Sequence, residues 1–242
     1  MKTTTGDGRT LTLSFHNLSL TLGSGANRTD ALVDINLEIA RGELIAVTGR
    51  SGSGKSSLLN VAGGLVEPSS GSVIVDGTDL AALSPSELAA ARRRSVGYVF
   101  QDLNLLPTLT AAENVSLPLE LDGMKPKPAR TQAVAALDSV ELADLADRYP
   151  DEMSGGQRQR VAIARGLVGE RTLLLADEPT GALDEVTAEG VMAILRQQCE
   201  LGASTLMVTH DPSLAAYADR VIRLRDGRID SVSMNPSLQV TQ

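Results

Sequence analysis

The stretch that decides the fold is Glu43-Leu44-Ile45-Ala46-Val47-Thr48-Gly49, followed by Arg50-Ser51-Gly52-Ser53-Gly54-Lys55-Ser56. Its first half is a short, almost unbroken apolar run, which is typical of a strand buried on both faces. Its second half completes the pattern G-x-x-x-x-G-K-[ST] from Gly49 to Ser56, and a helix is predicted from Lys55 to Gly64. A strand, a glycine-rich turn and a helix in this order predict a phosphate-binding loop.

The residues of this loop have separate predicted tasks. Its glycines let backbone N–H groups converge on an anion at a helix N-terminus. The Lys55 side chain can reach the outer phosphates, and the Ser56 hydroxyl can ligate Mg²⁺. The predicted cofactor-binding residues of the loop are Gly49, Ser51, Gly52, Ser53, Gly54, Lys55, Ser56 and Ser57.

A second candidate site follows the apolar run Leu173-Leu174-Leu175-Ala176, which ends in Asp177-Glu178. Acids at the carboxyl end of a parallel strand point into the crevice where ligands bind. Asp177 is therefore placed to hold a metal ion, while Glu178 could orient or deprotonate an attacking water. The same pair could merely cap a helix, but a phosphate-binding loop in the same chain favours the metal site.

The rest of the chain predicts an α/β fold. Alternating apolar residues at 11–15 and 33–39 indicate two half-buried antiparallel strands. Further on, strands alternate with helices, which implies a parallel sheet with helices on its faces. Beyond residue 40, strands are predicted at 43–49, 72–76, 96–100, 172–176 and 204–208, with final strands near 220–224 and 228–232, and helices at about 84–94, 156–169 and up to 201.

Residues 102–153 have a different texture, with Leu, Ala and Glu at helical spacing and five prolines. This pattern predicts a small helical insertion. We expect a single domain with the core and an antiparallel β subdomain at 1–101 and 159–233, a helical subdomain at 102–158, and a disordered tail at 234–242.

Composition excludes several classes of protein. The chain has 242 residues, a net charge of -8 and a single cysteine. One cysteine excludes an internal disulfide scaffold and a multi-cysteine zinc module, and favours a reducing compartment. The acidic balance argues against nucleic acid as a partner. No apolar run is long enough to span a membrane, and residues 1–8 lack the apolar segment of a signal peptide.

The segment Ser154-Gly155-Gly156-Gln157 opens another predicted helix. Its Ser-x-x-Gln spacing alone would make only a capping box. Two glycines at a helix start also permit close approach of an anion to exposed N–H groups. Because the segment has no lysine comparable with Lys55, it would complete a nucleotide site rather than form one, in the same chain or in another.

The set of motifs resembles the ATPase domains of ABC transporters. It comprises the phosphate loop, Gln101 after a strand, Ser154–Gln157, Ala176–Asp184 (ADEPTGALD) and His210, in the family's order. The resemblance covers roughly residues 10–230. Details such as Gly23-Ser24-Gly25, Leu58-Leu59-Asn60, Phe100-Gln101-Asp102 and Glu178-Pro179-Thr180-Gly181 are similar to the MacB-like, lipoprotein-releasing and FtsE-like branch.

This resemblance implies a P-loop NTPase (RecA-like) core and a homodimer that binds ATP with Mg²⁺. Each ATP would lie between the phosphate loop of one copy and Ser154, Gly155, Gly156 and Gln157 of the other. By similarity, Glu178 polarises the attacking water, His210 contacts the terminal phosphate and Asp184 closes the route across the dimer. Gln101 senses the metal, whose implied ligands are Ser56, Gln101 and Asp177.

The resemblance also implies a membrane partner. We expect an ATPase subunit at the cytoplasmic face of the cell membrane that powers a separate permease, a MacB-like exporter or extractor. The apolar segment Leu103–Leu109 after Gln101 would dock the permease, although burial within the helical subdomain would also explain it. An FtsE-like ATPase that acts on an envelope hydrolase is the alternative. Soluble ABC proteins and simple phosphate-loop kinases fit less well, and the cargo is not readable.

One position departs from the family. The branch usually carries an aromatic residue before the Gly-Ser-Gly turn to stack on adenine, whereas Leu22 stands there in this chain. With two Phe, three Tyr and no Trp in the chain, few rings could take its place. We therefore predict weak discrimination between adenine and guanine, because leucine offers apolar contact without ring stacking.

Overall fold

The computed structural model describes residues 8–181 and 183–235. Within these ranges the chain alternates between strands and helices. The strands are β1 (Leu11–Leu22), β2 (Thr29–Ala40), β3 (Leu44–Thr48), β4 (Ser70–Val75), β5 (Thr78–Asp79), β6 (Val96–Val99), β7 (Leu173–Asp177), β8 (Ser204–Val208), β9 (Arg220–Arg225) and β10 (Arg228–Met234). The α-helices are α1 (Lys55–Ala62), α2 (Pro85–Ser95), α3 (Ala111–Leu121), α4 (Pro126–Asp138), α5 (Gly155–Leu167), α6 (Glu185–Glu200) and α7 (Pro212–Ala215).

The first sheet is antiparallel, with strand order β2-β1-β4-β5. Strand β1 pairs with β2 from Leu11 opposite Ala40 to Leu22 opposite Thr29. The predicted antiparallel pair is therefore confirmed, but both strands are longer than the alternating segments. The register shifts between Phe15 and Leu18, beside Asn17 with a left-handed φ of 47°. Such a bulge breaks the two-residue alternation on which the prediction of strand length rested.

The second sheet has six strands in the order β10-β9-β3-β8-β7-β6. Strands β9, β3, β8, β7 and β6 run parallel, and only β10 at the edge is antiparallel to its neighbour. Residues Leu44–Val47 of β3 are fully buried, as the apolar run predicted. The α/β core is thus confirmed, because a strand buried on both faces needs helices or a second sheet on each side.

Two apolar cores lie on opposite faces of the parallel sheet. One combines the sheet with α1 and the inner face of the antiparallel sheet, through residues such as Phe15, Ile35 and Leu58. The other combines the sheet with α3, α4, α5 and α6, through residues such as Val115 and Leu195. Helix α3 begins with a capping box between Thr110 and Glu113. The segment between β6 and α5 is helical, as its composition predicted.

The two sheets are fastened at both ends of β3. At its start, Arg220 of β9 donates to the Glu43 carboxylate, which is 8% exposed, and to the Glu38 carbonyl of β2. The Gly227 carbonyl, in the β9–β10 turn, accepts a hydrogen bond from Val33 N at 2.8 Å, while its N–H donates to Ser53 O at 3.2 Å. One short turn therefore fixes the antiparallel sheet, the loop and β3 relative to each other.

Several predicted boundaries move by one or two residues. Helix α1 ends at Ala62 instead of Gly64, with Gly63 as its C-cap. Helix α5 covers Gly155–Leu167, because Val168 is extended. Strand β10 reaches Met234, so the predicted tail cannot begin there. The remainder of that tail, residues 236–242, lies outside the described part of the chain.

The longest of the described helices is α6, with 16 residues. Among residues 8–181 and 183–235, no helix combines the length and the apolar character that crossing a bilayer requires.

Cys199 lies on the buried face of α6 with 2% exposure, and its Sγ is 3.3 Å from Thr205 Oγ1. Burial raises the pKa of this thiol to about 11.

Candidate functional site

Four parallel strands that adjoin one another in the sheet end at the same edge. After β3 comes the loop 49–54, after β6 Gln101, at the end of β7 Asp177 and Glu178, and after β8 His210. Open α/β sheets bind their ligands at the carboxyl ends of the strands, because the loops there diverge and leave a crevice. The chain's predicted catalytic residues are therefore gathered by the topology of the sheet.

A cleft of about 1080 Å³ occupies this edge. Its volume is at the upper end of the roughly 300–1,000 Å³ that small-molecule sites usually enclose. The sequence-predicted residues that line it are Gly49, Ser51, Gly52, Gly54, Lys55, Ser56, Ser57, Gln101, Asp177, Glu178 and His210, together with Leu22.

The phosphate loop wraps the N-terminus of α1. Gly54 is the N-cap of this helix, with φ 100°, and a Cβ there would stand 2.4 Å from the Ala31 carbonyl. Only glycine fits this position, so the loop can press against β2 while the first N–H groups of α1 face the cleft. The Lys55 ammonium donates to the Gly49 carbonyl at 2.9 Å and to the Arg50 carbonyl at 3.0 Å. The loop thus presents a cation and helical N–H groups together, which suits an anion.

Ser53 differs from the other predicted loop residues. It is 5% exposed and does not line the cleft. Its Oγ is buried and has no hydrogen-bond partner within the described residues. Ser53 N donates to Arg50 O at 3.2 Å, so its backbone shapes the loop. A role for the Ser53 side chain in binding stays a prediction.

Ser56 and Asp177 both line the cleft. Burial raises the pKa of Asp177 and Glu178 raises it further, while the nearby Ser56 hydroxyl and Lys55 oppose both effects. A hydroxyl and one carboxylate beside a phosphate loop fit Mg²⁺, which takes few protein ligands and leaves other positions to phosphate and water. The described residues hold no cluster of three or more His, Cys, Asp or Glu that could bind a metal without such help.

Glu178 and His210 form a pair at the mouth of the cleft. His210 Nδ1 lies 2.9 Å from Glu178 Oε2, and the hydrogen bond to this carboxylate raises the pKa of His210. The Glu178 side chain is 16% exposed and that of His210 is 73% exposed. Glu178 adopts a left-handed φ of 48° and its N–H donates to Val208 O at 3.0 Å. A half-buried base held by an imidazole is a suitable arrangement for orienting water.

Several residues that line the cleft were not found from the sequence. Thr29, Asp30 and Ala31 come from the antiparallel sheet, and Asp226 and Gly227 come from the β9–β10 turn. They adjoin Leu22, which pairs with Thr29 in the antiparallel sheet and is 43% exposed. The Gly227 hydrogen bonds described above bring these segments to the loop, and no short-range pattern in the sequence signals them. The Asp102 next to Gln101 completes the rim.

Sequence reasoning also missed Gln159. It lies on α5, is 4% exposed and contributes to the cleft lining. Its Nε2 is buried without a hydrogen-bond partner among the described residues. A buried amide group with a free donor is costly unless an acceptor reaches it. Its position five residues after Ser154 was the available signal.

The Ser154–Gln157 segment lies outside this cleft. Ser154 caps α5 in a closed capping box, with Gln157 N donating to Ser154 Oγ at 3.2 Å and Ser154 N donating to Gln157 Oε1 at 2.9 Å. Ser154 and Gly155 are exposed, and none of the four residues lines the cleft. Asp184 likewise caps α6 by accepting from Thr187 N at 3.0 Å, and this bond lowers its pKa. The structure does not bring either element to the phosphate loop of its own chain.

Comparisons with known proteins agree with this geometry. A sequence model of the ABC transporter family matches residues 32–181. The macrolide export ATP-binding/permease protein MacB of Neisseria gonorrhoeae is 47% identical over 92% of this chain, and the MacB of Salmonella choleraesuis is 46% identical over 91%. The chain spans about a third of the length of these relatives, 35% and 34% respectively.

Solved structures also resemble the chain. The ATP-binding cassette MJ0796, solved as a dimer in a post-hydrolysis state with ADP and Pi, has a TM-score of 0.86 and 39% identity. The similarity covers 92% of this chain and 98% of that cassette. A second dimeric structure of MJ0796, described as a bacterial ABC transporter cassette, has a TM-score of 0.86 at 40% identity.

Proposed function

The chain belongs to the ABC transporter family, and from that premise we propose that it binds and hydrolyses ATP as a dimer and powers a MacB-like export permease. The observation that carries this proposal is the convergence of four strand ends on one cleft. That convergence supports phosphate binding by the loop and hydrolysis by the acids of β7. Because phosphoryl transfer depends mainly on positioning and on placed charge, a preformed set of this kind suits it.

The site residues have distinct proposed roles. The N–H groups of the loop and Lys55 bind the phosphates, with Gly49, Ser51, Gly52, Ser53, Gly54 and Ser57 shaping or lining the cradle. Ser56 and Asp177, joined by Gln101, would hold Mg²⁺, which when bound neutralises charge on the phosphates. Glu178 orients the attacking water and takes up its proton, and His210 keeps the Glu178 carboxylate in place while facing the terminal phosphate.

The dimer follows from what the cleft lacks. Ser154 and Gly155 are exposed and Gly156 and Gln157 are half-buried at the start of α5, outside the cleft of their own chain. We propose that this helix start meets the ATP bound by a second copy, with Asp184 near the crossing. The helix N-terminus offers a partial positive charge to a phosphate in that position. Dimer closure would then be a condition for hydrolysis.

The membrane permease is proposed to dock near Gln101–Leu109. Beside that segment is a groove of about 360 Å³, here named the α3 groove, with Leu65, Phe100, Leu117, Leu121 and Arg165 among its lining residues. Leu106 is 43% exposed and Leu121 64% exposed. Arg92, Arg93 and Arg171 also line it, so a permease helix with apolar side chains and a carboxylate fits its chemistry. This partner would hold the chain at the cytoplasmic face of the membrane.

The test is co-purification of tagged Glu178→Gln protein from its own cells with ATP and mild detergent, followed by mass spectrometry. A polytopic partner with a large extracytoplasmic domain is the expected result. Recovery of an envelope hydrolase system without cargo transport would favour the FtsE-like alternative, and soluble partners alone would contradict the permease.

A matched pair of variants localises the docking surface. Leu121→Glu lies in the α3 groove and should abolish recovery of the permease. Leu201→Glu, at a leucine that is 73% exposed beyond α6, should leave recovery unchanged. Equal recovery with both variants would place the permease elsewhere.

A further inference from the structure

The loop after Gln101 has an unusual corner. Leu103 N donates to Phe100 O at 3.1 Å, which closes a turn with Gln101 and Asp102 at its centre. Leu103 and Asn104 then adopt left-handed φ angles of 59° and 50°. Asparagine tolerates this conformation, whereas for leucine it is uncommon. Two consecutive left-handed residues other than glycine persist only when contacts elsewhere hold them.

Arg165 supplies that hold. From the last turn of α5, its Nη2 donates to the Leu103 carbonyl at 2.6 Å and its Nη1 to the Asn104 carbonyl at 2.5 Å. The fork of the guanidinium thus binds two successive carbonyls through two different nitrogens in a fixed plane, whereas a lysine ammonium, as at Lys55, binds two carbonyls from one freely rotating atom. Burial lowers the pKa of Arg165. A half-buried cation that binds only backbone carbonyls is costly to keep unless those carbonyls must be fixed.

Helix α5 connects this corner with the rest of the site. It begins at the Ser154–Gln157 segment, contributes Gln159 to the cleft and ends with Arg165 in the α3 groove. Over 13 residues a helix is a stiff element of about 20 Å. Arg165 thus connects the Gln101 loop with the helix that begins at the Ser154–Gln157 segment.

We propose that Arg165 is a positioning residue for Gln101: by holding the Leu103 and Asn104 carbonyls in their left-handed corner, it fixes the turn that presents Gln101 to the cleft. This inference rests on the proposed ATPase function. It assigns the positioning of Gln101 to one side chain, Arg165, which lines the α3 groove and binds the Gln101 loop.

The experiment compares Arg165→Lys with Arg160→Lys. Arg160 lies on the same helix and donates to Val140 O at 3.3 Å, on a loop remote from Gln101. Arg165→Lys should lower kcat for ATP about 5- to 20-fold with KM within twofold, because the interaction serves the transition state rather than binding. Arg160→Lys should change neither value. A kcat loss of the same size in both variants, or none in Arg165→Lys, would overturn the proposal.

Hydrogen exchange provides a readout that does not depend on hydrolysis. Without nucleotide, the Leu103 amide should exchange at least about tenfold faster in Arg165→Lys than in the wild type, and Arg160→Lys should not change it. If wild-type protein does not hydrolyse ATP, the proposed function fails, whereas unchanged exchange at Leu103 in Arg165→Lys contradicts the positioning role alone.

Two further variants separate positioning from general stability. Leu103→Gly added to Arg165→Lys should recover part of the lost kcat, because glycine enters the left-handed region without strain. Asn104→Val perturbs the exposed corner while leaving α5 intact, and should reproduce the kcat loss because β-branched residues avoid that region. Failure of both results would reduce Arg165 to a packing residue.

Discussion

The starts of α1 and α5 are two glycine-containing helix N-termini with opposite surroundings. At α1, the loop from Gly49 packs against β2, and Lys55, Asp177 and Glu178 share its cleft. At α5, Ser154 and Gln157 satisfy each other in a capping box, Gly155 is exposed, and Gly156 lies beside Thr187. In the proposed dimer, the start of α1 is one half of the nucleotide site. The start of α5 would be the other half, and it would contact the phosphates bound by a second copy.

The largest expected effect comes from replacing the proposed catalytic base beside the start of α1. Glu178→Gln should slow hydrolysis by roughly 10² to 10⁴ while ATP binding persists, because the amide cannot act as a base. Single-turnover hydrolysis together with equilibrium nucleotide binding measures both. Normal hydrolysis by this variant would show that Glu178 has another role.

Removing the cation of the same half should have the next largest effect. Lys55→Ala deletes charge-assisted hydrogen bonds worth about 1.5–3 kcal/mol, which corresponds to about 10- to 100-fold weaker nucleotide binding. Calorimetric titration with ATP gives the value. An unchanged affinity would contradict a phosphate contact by Lys55.

Mixing the Lys55→Ala protein with the Gly155→Glu protein tests whether the starts of α1 and α5 form one site between two copies. A Cβ at Gly155 meets nothing within 4 Å, so the fold should tolerate the change while the carboxylate repels phosphate. Each variant alone should be inactive. In a mixed dimer one site contains both intact halves, so activity should return to at most about a quarter of wild type for a two-fold symmetric dimer. No recovery would argue against a shared site.

Leu22, which lines the cleft beside Thr29 of the antiparallel sheet, offers a smaller test. Leu22→Tyr should raise the preference for ATP over GTP about 2- to 10-fold, the equivalent of about 0.5–1.5 kcal/mol from ring stacking. Leu22→Met, which adds no ring, is the matched control. A strong ATP preference already present in the wild type would contradict the prediction of weak base discrimination.

The smallest expected effect compares two capping boxes of the same design. Ser84 caps α2 with Glu87, as Ser154 caps α5 with Gln157. Replacing either serine by alanine should lower the free energy of unfolding by about 1 kcal/mol, because one N–H group loses its acceptor. Only Ser154→Ala should also reduce hydrolysis. Equal ATPase losses in both variants would leave Ser154 a cap and nothing more.

Sequence reasoning succeeded where the deciding information is local. The β3 strand, the phosphate loop and the start of α1 lie within 20 residues, and each has its own pattern in composition or spacing. The alternating strands, the helical segment and the family were confirmed for the same reason. Helix ends were less certain, since Gly63 and Gly64 both suit a C-cap and only packing decides between them.

Sequence reasoning could not predict the long-range contacts of the site. Thr29, Asp30, Asp226 and Gly227 enter the cleft through pairing between distant segments, and sequence periodicity states which face a residue occupies but not what it faces. For Asp184, the sequence implied a contact that the single chain does not make. Its motif implied a nucleotide site, while within its own chain it caps α6. The roles of the site residues and the domain boundaries stay predictions.

Cys199 makes this chain a convenient host for chemical probes. The thiol is buried, and its pKa of about 11 leaves almost no thiolate at neutral pH. Maleimides and thiol-reactive spin labels should therefore not react with Cys199. A single cysteine introduced at an exposed position would then be the site of labelling. Pairs of labels across the proposed dimer could then report distances in solution on the unaltered background of the natural sequence.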